Sequence, residues 1–372
     1  MEKERKPLLS AELWERASRT IALPGVGAIG QRRISAARVV VIGAGGLGSP
    51  VLQYLAAIGV GSIGVVDVDT VDLSNLQRQI IHRMSRVGML KTESAASMIA
   101  DLNPDVEVIE HPVLLDRGNS IEIMRDYDIV VDASDNFATR YLVSDSAALL
   151  RMPYVWGSVL QFDGQLSVFW ERARDGAAVD YRDLHPVPPD PRQVLSCAEG
   201  GVLGSLCGTI GSMMATEVIK IITGIGDPLI GRVQTLDALT GEWSTFDVRR
   251  SPDRAPVREL IDYEEFCGVR DEVHGGATVS AAELREQLAA GVTLIDVRES
   301  DEHEAGHIEG DTLIPLSMLI AEPSRVGDGP VVIYCASGTR SARAVAVLEA
   351  NAIPAVSLEG GFAAWRSDSL ES

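Results

Sequence analysis

Short runs of branched apolar residues alternate with longer segments of helical periodicity through the first part of the chain. Residues 39–42 form such a run, and the apolar residues at 51, 52, 55 and 58 have the spacing of one helix face. Further apolar runs at 62–66, 106–109 and 128–132 repeat the pattern. Strands that alternate with helices favour an α/β fold with a mostly parallel, doubly wound sheet.

The pattern changes after residue 150. Two hairpins are predicted, over 153–170 with a turn at Asp163-Gly164 and over 231–249 with a turn at Thr240-Gly241. Between them lie a proline-rich loop over 171–195 and an apolar helix over 207–223. A linker-like stretch then precedes a new strand–helix alternation. We predict a first domain over 1–250, a linker over 251–276 and a smaller α/β domain over 277–372.

Composition narrows the function classes. The chain has 372 residues, of which 46% are hydrophobic and 23% charged, the balance of a soluble globular protein. Its formal net charge of −20 argues against binding of nucleic acid, which needs a basic surface. No apolar run reaches the ~20 residues that span a bilayer, and the N-terminus lacks the apolar core of a signal peptide. The four cysteines form no CxxC pair, so a cytoplasmic protein without membrane contact is expected.

The apolar run at 39–42 leads directly into a glycine-rich turn, Gly43-Ala-Gly45-Gly46-Leu-Gly48. Glycines let the backbone approach a ligand closely, and the free N–H groups of a first helical turn favour an anion. Asp67 follows about 20 residues later at the end of the second strand, where a carboxylate can bind ribose hydroxyls. We interpret the turn as a Rossmann-like nucleotide site, a pattern shared by dehydrogenases, flavoproteins and adenylating enzymes.

Three charged residues near this turn favour a triphosphate. Arg78 lies in a polar turn beyond Asp67, Lys91 begins the next helix, and Asp135 follows the strand at 128–132. Two cations and a carboxylate suit ATP with Mg²⁺, because the cations and the metal offset the charge of the phosphates. Each residue alone could be a surface charge, but the set indicates phosphoryl or nucleotidyl transfer.

Six motifs of the first domain resemble the MoeB/ThiF group of ubiquitin-activating-like enzymes over about residues 10–250. They are Ser18-Arg19-Thr-Ile-Ala-Leu-Pro, Gly43-Ala-Gly-Gly-Leu-Gly48, Ser74-Asn-Leu-Gln-Arg78-Gln, Gly88-Met-Leu-Lys91, Ala133-Ser-Asp135-Asn136 and Ser196-Cys197-Ala-Glu-Gly-Gly-Val-Leu-Gly204. The resemblance implies that ATP·Mg²⁺ is used to adenylate the C-terminal Gly-Gly of a ubiquitin-like sulfur carrier protein. It also implies a homodimer.

The resemblance assigns roles to individual residues. Those implied in ATP binding are Gly43, Gly45, Gly46, Gly48, Asp67, Asp69, Ser74, Asn75, Leu76, Gln77, Arg78, Lys91, Asp135 and Asn136. Asp135 is also the implied partner of Mg²⁺, and Arg19 is implied to reach the phosphates of the other subunit's nucleotide. Cys197 matches a position that forms a covalent link to the carrier in some relatives, or it is an incidental thiol.

One departure from the group concerns a structural zinc ion that relatives often hold with two CxxC pairs. The place of the first pair holds Asp180-Tyr-Arg-Asp183, and that of the second falls in Pro252-Asp-Arg-Ala-Pro256. Four thiolates make a closed tetrahedral zinc site, and these residues do not. We therefore predict no zinc, and we interpret Cys207 and Cys267 as structural or incidental.

In the second domain, Cys335 lies where a strand passes into a helix, within a loop of small residues. Backbone N–H groups and Arg340 can stabilise a negatively charged sulfur or an anion bound to it, as in a phosphatase loop or a sulfur-carrying loop. Residues 277–368 resemble the rhodanese family, on the motifs Leu294-Ile-Asp-Val-Arg-Glu, Gly306-His-Ile-Glu-Gly310, Cys335-Ala-Ser-Gly-Thr-Arg340-Ser and Leu358-Glu-Gly-Gly-Phe-Ala-Ala-Trp365. The six residues from Cys335 to Arg340 match the sulfur-carrying loop, so the resemblance implies a persulfide on Cys335.

Together the two resemblances imply a two-step enzyme, an adenylyltransferase and a sulfurtransferase. The first domain would form an acyl-adenylate on the carrier, and the Cys335 persulfide would convert it to a thiocarboxylate. Its sulfur would come from a donor such as a cysteine desulfurase or thiosulfate. The alternatives are a persulfide reductase that uses NAD or FAD and carries a rhodanese module, and a non-enzymatic scaffold for sulfur carriers.

Overall fold

The structure is a computed structural model that describes residues 10–171, 173, 178–189, 200–252, 254–267, 277–327 and 329–370. The described residues form two compact units, the first over 10–188 and 200–263 and the second including 264–370. Cys197 lies outside the described residues, as do the loop at 190–199 and the stretch at 268–276 of the predicted linker.

The first unit is built on an eight-stranded sheet in the order β3-β2-β1-β4-β5-β6-β7-β8. Its strands are β1 (Arg38–Ile42), β2 (Ser62–Val66), β3 (Glu107–His111), β4 (Ile129–Asp132), β5 (Tyr154–Leu160), β6 (Asp163–Phe169), β7 (Arg232–Asp237) and β8 (Glu242–Asp247). Along the sheet, the neighbours in β3-β2-β1-β4-β5 pair in parallel, and those in β5-β6-β7-β8 pair in antiparallel fashion. The predicted α/β class with a Rossmann-like, mostly parallel sheet is confirmed.

Helices precede, follow and connect these strands. They are α1 (Ala11–Arg16), α2 (Ser18–Ile21), α3 (Gly27–Ile34), α4 (Gly48–Ile58), α5 (Lys91–Leu102), α6 (Ser120–Met124), α7 (Phe137–Leu150), α8 (Tyr181–Leu184), α9 (Gly204–Thr223) and α10 (Tyr263–Phe266). Strands β2 and β3 are added on one side of β1 and strands β4 and β5 on the other, so the order of the strands in the sheet reverses at β1. Such a switch point opens a crevice at the carboxyl ends of the strands.

Helix α9 differs from expectation in one respect. By length and composition it is apolar enough to cross a membrane, contrary to the prediction that no segment is. Half of its most apolar window is buried within the unit, and Glu217 on this helix is buried and accepts a hydrogen bond of 2.8 Å from the Leu229 N–H. A buried helix that packs on the sheet passes the same test, so we interpret α9 as a core helix.

The first predicted hairpin is shifted by two residues. Leu160 pairs with Asp163, so the turn is Gln161-Phe162, with Gln161 at a φ of 52°. Gly164 lies inside β6, where a Cβ atom would come within 2.6 Å of Cγ1 of Ile210 on α9. The glycine thus serves close packing of α9 on the sheet. The second predicted turn, at Thr240-Gly241, is confirmed.

Part of the predicted linker packs on the first unit. Tyr263 is buried, and its hydroxyl donates a hydrogen bond of 2.7 Å to the Asp145 carboxylate on α7. Arg254 binds carboxylates of residues 171–183, as described below. The boundary between the two compact units falls after Tyr263, the first residue of α10.

The second unit contains a five-stranded parallel sheet in the order β11-β10-β12-β13-β9. Its strands are β9 (Thr278–Val279), β10 (Thr293–Asp296), β11 (Thr312–Leu313), β12 (Val331–Tyr334) and β13 (Ala355–Leu358), and its helices are α11 (Ala281–Ala289), α12 (Ser300–Glu304), α13 (Leu316–Ala321), α14 (Thr339–Ala350) and α15 (Gly361–Leu370). Ser280 and Glu283 form the capping box that the sequence predicts for α11. The predicted smaller α/β domain is confirmed.

Candidate functional site

A cavity of about 320 Å³ opens at the switch point of the first sheet. Nine of the predicted ATP-binding residues line it: Gly43, Gly45, Gly46, Asp67, Asp69, Arg78, Lys91, Asp135 and Asn136. Loops after β1, β2 and β4 supply most of them, as expected where the carboxyl ends of parallel strands meet. The glycines, acidic residues and cations that are distant in the sequence therefore share one crevice.

The glycine turn passes closely against its surroundings. Gly43 has a φ of 93°, a left-handed conformation that favours glycine. A Cβ atom on Gly48 would lie 2.0 Å from the Gly43 carbonyl oxygen, so Gly48 begins α4 in contact with the turn's own backbone. Gly48 does not line the cavity, and its role is to shape the turn.

The Asp67 carboxylate is tied to the glycine turn. One oxygen accepts a hydrogen bond of 2.8 Å from the Ala44 N–H, and the other accepts one of 2.9 Å from the Asp69 N–H. Burial raises the pKa of Asp67, although the positive charge of Lys91 opposes this shift. The carboxylate is thus held at the rim of the crevice, where the sequence predicts contact with ribose.

Lys91 is buried at the start of α5, and its Nζ lies 2.7 Å from Oδ2 of the exposed Asp69. The Lys91 ammonium group is 8% exposed and its partner carboxylate is 64% exposed, so Lys91 can exchange Asp69 for phosphate at little cost. Arg78 faces the same cavity, and its guanidinium donates a hydrogen bond of 3.3 Å to the Ser74 carbonyl. The two predicted cations therefore lie where phosphates would.

Asp135 and Asn136 follow β4 directly. Asp135 is exposed at the cavity, and Asn136 caps α7 by accepting a hydrogen bond of 2.9 Å from the Thr139 N–H. Asp132, at the end of β4, is buried and anchors this loop through the Ser134 N–H and the Tyr154 hydroxyl. Asp135 is thus a free carboxylate on an anchored loop, which suits a hard cation such as Mg²⁺.

Other predicted residues do not line this cavity. Asn75 accepts a hydrogen bond of 3.1 Å from the Asp72 N–H and Ser74 donates one of 2.6 Å to the Asp72 carboxylate, so both shape the turn that positions Arg78. Leu76 and Gln77 belong to the same turn, and Arg19 is exposed on α2. Among the described residues the cavity thus gathers Asp67, Asp69, Arg78, Lys91 and Asp135, and it leaves out these turn residues and Arg19.

Three residues around the cavity were missed by the sequence analysis. Gln79 lines the cavity, and its buried Oε1 has no hydrogen-bond partner among the described residues, so it is an acceptor that a ligand could satisfy. Arg140 on α7 adds a third cation to the lining. His82 lies behind the glycine turn, with Nε2 3.0 Å from the Ala44 carbonyl and Nδ1 2.8 Å from Ser94 Oγ. Gln79 belongs to the quoted Ser74–Gln79 motif, which was the available signal for it.

An ion-pair cluster occupies the positions that the sequence resemblance aligns with a zinc site. Arg254 contacts Asp180 and Asp183, the two positions of the first CxxC pair, and it binds Asp183 Oδ1 at 2.8 Å and Glu171 Oε1 at 3.2 Å. Burial raises the pKa of Asp180 to about 6, and Asp183 and Glu171 contribute to that rise. Carboxylates around a guanidinium are not a zinc donor set of four thiolates. The prediction of no zinc, which rests on the missing thiolates at these CxxC positions, stays a prediction, and the residues here agree with it.

Cys335 of the second unit begins the loop between β12 and α14. Its Sγ is buried and accepts a hydrogen bond of 3.1 Å from the Gly338 N–H, while the Ser341 hydroxyl lies 3.6 Å away. Gly338 has a φ of 103°, which turns its N–H toward the sulfur. A Cβ atom on Gly361 would lie 2.4 Å from the Cys335 carbonyl oxygen, so the start of α15 packs directly on the loop. These donors suit a sulfur anion.

The charge of Arg340 is shared with a neighbour. Both terminal nitrogens bind the Glu302 carboxylate, at 2.6 and 2.7 Å, so the side chain is held in place beside the loop. Glu302 lies on α12, outside the Cys335–Ser341 motif, so the motif alone does not reveal this partner of Arg340. Arg298 is likewise bound by Asp296 and lies against the rings of Tyr334 and Phe362.

Comparison with known proteins identifies both parts of the chain. Residues 17–257 match the ThiF family, and residues 280–368 match the rhodanese-like domain. A protein of Mycobacterium tuberculosis named "Probable adenylyltransferase/sulfurtransferase MoeZ" is 48% identical over 367 residues, which cover 96% of this chain and 94% of that protein. The "Sulfur carrier protein adenylyltransferase" of Thermus thermophilus is 50% identical over 264 residues, 69% of this chain and 97% of that one.

Among solved structures, Escherichia coli MccB with ATP aligns with a TM-score of 0.57 at 20% identity, over 67% of this chain and 76% of that one. This similarity supports the fold of the first unit. The relatives with adenylyltransferase and sulfurtransferase names extend over nearly the whole chain, so the prediction of an enzyme of these two classes is confirmed. The chain belongs to the ThiF family and carries a rhodanese-like domain after its ThiF domain.

Proposed function

We propose that this enzyme uses ATP to adenylate the C-terminal Gly-Gly carboxylate of a ubiquitin-like sulfur carrier protein and then converts it to a thiocarboxylate with sulfur carried on Cys335. The observation that carries the proposal is the crevice of the first unit. It places Arg78, Lys91 and Asp135 around the glycine turn, within one chain that also holds the Cys335 loop.

In the first step a carboxylate oxygen of the carrier attacks the α-phosphate of ATP, and pyrophosphate leaves. Lys91 and Arg78 would bind the phosphates, and their charge would offset the negative charge that develops on the leaving group. Lys91 must release Asp69 to do so. Asp69 is 64% exposed and can turn into solvent at little cost.

We assign Mg²⁺ to Asp135. Its carboxylate is exposed in the cavity, on a loop that Asp132 fixes. An oxygen ligand of this kind binds Mg²⁺ together with phosphate oxygens and water. The ion would supply charge neutralisation at the triphosphate, and Asp69 offers a second carboxylate once Lys91 has left it.

In the second step the terminal sulfur of a Cys335 persulfide attacks the acyl carbon, and AMP leaves. The product is an acyl disulfide between the carrier and Cys335. A second thiol then attacks the Cys335 sulfur, which forms a new disulfide with Cys335 and releases the thiocarboxylate. A further molecule of that thiol, a low-molecular-weight reductant, attacks the other sulfur of this disulfide, so that the Cys335 thiolate leaves. The thiolate then takes the outer sulfur of thiosulfate, which releases sulfite, or of a cysteine persulfide, which releases cysteine. The N–H of Gly338 stabilises the sulfur anion of Cys335 whenever it acts as a leaving group.

We further propose a homodimer in which Arg19 reaches the partner subunit's nucleotide. Arg19 is exposed and does not line the cavity of its own chain. A groove of about 710 Å³ lies between α4, α5 and α9, and it is lined by exposed apolar residues such as Tyr54, Ile80 and Leu102. An apolar groove of this size fits burial against a second copy.

The test combines two assays on the full chain. ATP–pyrophosphate exchange is measured with candidate Gly-Gly carrier proteins, and mass spectrometry then follows oxygen-to-sulfur exchange on the carrier with thiosulfate as donor. We expect Asp135→Ala to abolish both, and Cys335→Ala to abolish only the sulfur exchange.

Two variants serve as controls. Asp163→Ala removes an exposed carboxylate outside the cavity, and Cys267→Ser removes another thiol of the second unit, so both should leave each assay intact. Exchange that survives Asp135→Ala, or sulfur incorporation that survives Cys335→Ala, would refute the assignment. A flavin absorbance band in the purified protein would favour the persulfide reductase instead.

A further inference from the structure

A cluster of two histidines and an aspartate lies in the second unit, apart from the Cys335 loop. His303 is in the last turn of α12, His307 follows one helical turn later, and Asp311 follows after Gly310. Gly306 and Gly310 both have positive φ angles, 149° and 89°, and they turn the chain so that the third side chain meets the first two. The spacing His-x3-His-x3-Asp thus forms a compact group.

The candidate ligand atoms of these residues all lie within 4.8 Å of one another. Among the parts of the chain that the structure describes, it is the one group of three such residues at this spacing. The imidazole rings are nearly parallel, with centroids 4.0 Å apart, and His303 Nε2 lies 3.1 Å from Asp311 Oδ1. Two ligands on a tetrahedral zinc ion are about 3.3 Å apart, given bonds of about 2.0–2.1 Å. Because an ion lies near the plane of each imidazole that binds it, the exposed His307 ring would have to turn out of this stack to share an ion with His303 and Asp311.

The surrounding hydrogen bonds favour ligation by these atoms. His307 Nδ1 lies 3.2 Å from the His303 carbonyl, so Nδ1 donates its proton there and leaves the Nε2 lone pair for a metal. Asp311 is 3% exposed, and its second oxygen accepts a hydrogen bond from the Tyr334 hydroxyl. Outer contacts of this kind orient the ligands of metal sites.

We propose that His303, His307 and Asp311 bind a divalent transition-metal ion, zinc or a metal of similar chemistry. Two imidazoles and one carboxylate match the ligand preference of zinc. The ion would replace the proton between His303 and Asp311, and the His303 imidazole would carry its proton on Nδ1. Because His307 is exposed, the remaining coordination position faces water. The ion would cross-link the end of α12 to the turn at 306–311.

A metal ion at this site would also affect the Cys335 loop, because two of the neighbouring residues contact or precede that loop. Glu302, which binds Arg340, directly precedes His303, and Tyr334, which binds Asp311, directly precedes Cys335. A metal ion would therefore stiffen the two segments that hold Arg340 and the first residue of the loop. Hydrogen exchange of residues 300–312 reports this effect independently of catalysis.

The test is titration of the full chain with Co²⁺ and with Zn²⁺ after treatment with a chelator. We expect one ion per chain, a visible Co²⁺ spectrum without sulfur-to-metal charge-transfer bands, and slower hydrogen exchange over 300–312. His307→Ala should weaken binding at least tenfold; this residue is exposed, so the variant should fold. Glu304→Gln and Glu309→Gln, which remove neighbouring exposed carboxylates, should bind as the wild type does.

Three results would overturn the proposal. The first is stoichiometric binding that persists in His307→Ala but is lost in Asp180→Asn, which would place the ion in the first unit. The second is a charge-transfer band, which would assign the ion to thiolates. The third is the lack of any stoichiometric ion at micromolar metal, which would leave His303 and Asp311 as a plain hydrogen-bonded pair.

Discussion

His82 links the pH of the medium to the stability of the glycine turn. Its imidazole is 5% exposed, and Nε2 must carry the proton because its partner, the Ala44 carbonyl, can only accept. Ser94 then donates its hydroxyl proton to Nδ1. Burial lowers the pKa of His82 to about 4, and the positive charges of Lys91 and Arg86 contribute to that shift, while the bond to Ala44 opposes it.

The sign of the effect follows from proton binding. Between pH 6.5, its ordinary pKa, and the folded value of about 4, the unfolded chain binds a proton at His82 that the folded chain does not. Stability from this residue is therefore fully present above its ordinary pKa and is lost as the pH falls through this window. At about 1.4 kcal/mol per pKa unit, the loss approaches ~3 kcal/mol.

The perturbation is His82→Gln, whose amide can still donate to Ala44 but does not titrate. Hydrogen–deuterium exchange of the peptide over 78–95 is measured from pH 7.5 down to pH 4.5, with correction for intrinsic exchange. This readout is local, which matters because the two units can unfold separately. The difference in opening free energy between wild type and variant should shrink as the pH falls.

Other groups titrate in the same window, and they change stability in the opposite direction. Asp180, with its pKa raised to about 6, contributes stability that is lost as the pH rises through that value. Subtraction of the variant removes this contribution, because Asp180 is present in both proteins. A wild-type-minus-variant difference that stays constant with pH would refute the assignment of a neutral, buried His82.

Three further predictions concern other parts of the structure. Gly48→Ala should lower ATP affinity, measured by calorimetry, more than tenfold, because its Cβ would lie 2.0 Å from the Gly43 carbonyl oxygen; unchanged affinity would show that the turn can move. Arg254→Met should lower the free energy of unfolding of the first unit by roughly 3–5 kcal/mol in urea titration, since it leaves the buried carboxylates of Asp180 and Asp183 without their cation, while Glu171 keeps Arg250. Arg249→Met, which changes an exposed arginine nearby in the sequence, should have no effect. Glu302→Gln should release the Arg340 guanidinium and so lower the KM for thiosulfate in a thiosulfate–cyanide assay, while the control Glu304→Gln should leave that KM unchanged. A KM in Glu302→Gln equal to that of the wild type would mean that Arg340 does not contact thiosulfate.

Local patterns account for the parts of the fold and site that could be predicted. The turn at 43–48 follows from a buried strand, glycines and an amphipathic helix in immediate succession, and the Ser280 cap follows from a spacing of three residues. Lys91, Asp67 and Asp135 were placed together because each follows or faces the carboxyl end of a strand.

Contacts between distant segments could not be predicted. Arg254 meets Asp183 across 71 residues, and Glu302 meets Arg340 across 38, and no periodicity encodes either pairing. Gly164 was mistaken for a turn residue because its packing partner, Ile210, lies on a helix far along the chain. His82 supports the glycine turn from behind, a role that a motif of ligand contacts does not reveal.

The ion pairs of Arg254 with Glu171, Asp180 and Asp183 hold part of the first unit together without a metal ion or a reduced thiol. Arg254 ties the segment after β8 to α8 and Glu171 through covalently attached charges. A guanidinium cannot be extracted by a chelator, and its carboxylate partners are not oxidised as thiolates are. Because Arg254 is only 9% exposed, dissolved salt screens these pairs weakly. The joint therefore keeps its strength when metal is scarce or oxidants are abundant, conditions under which an enzyme that handles reactive sulfur must still work.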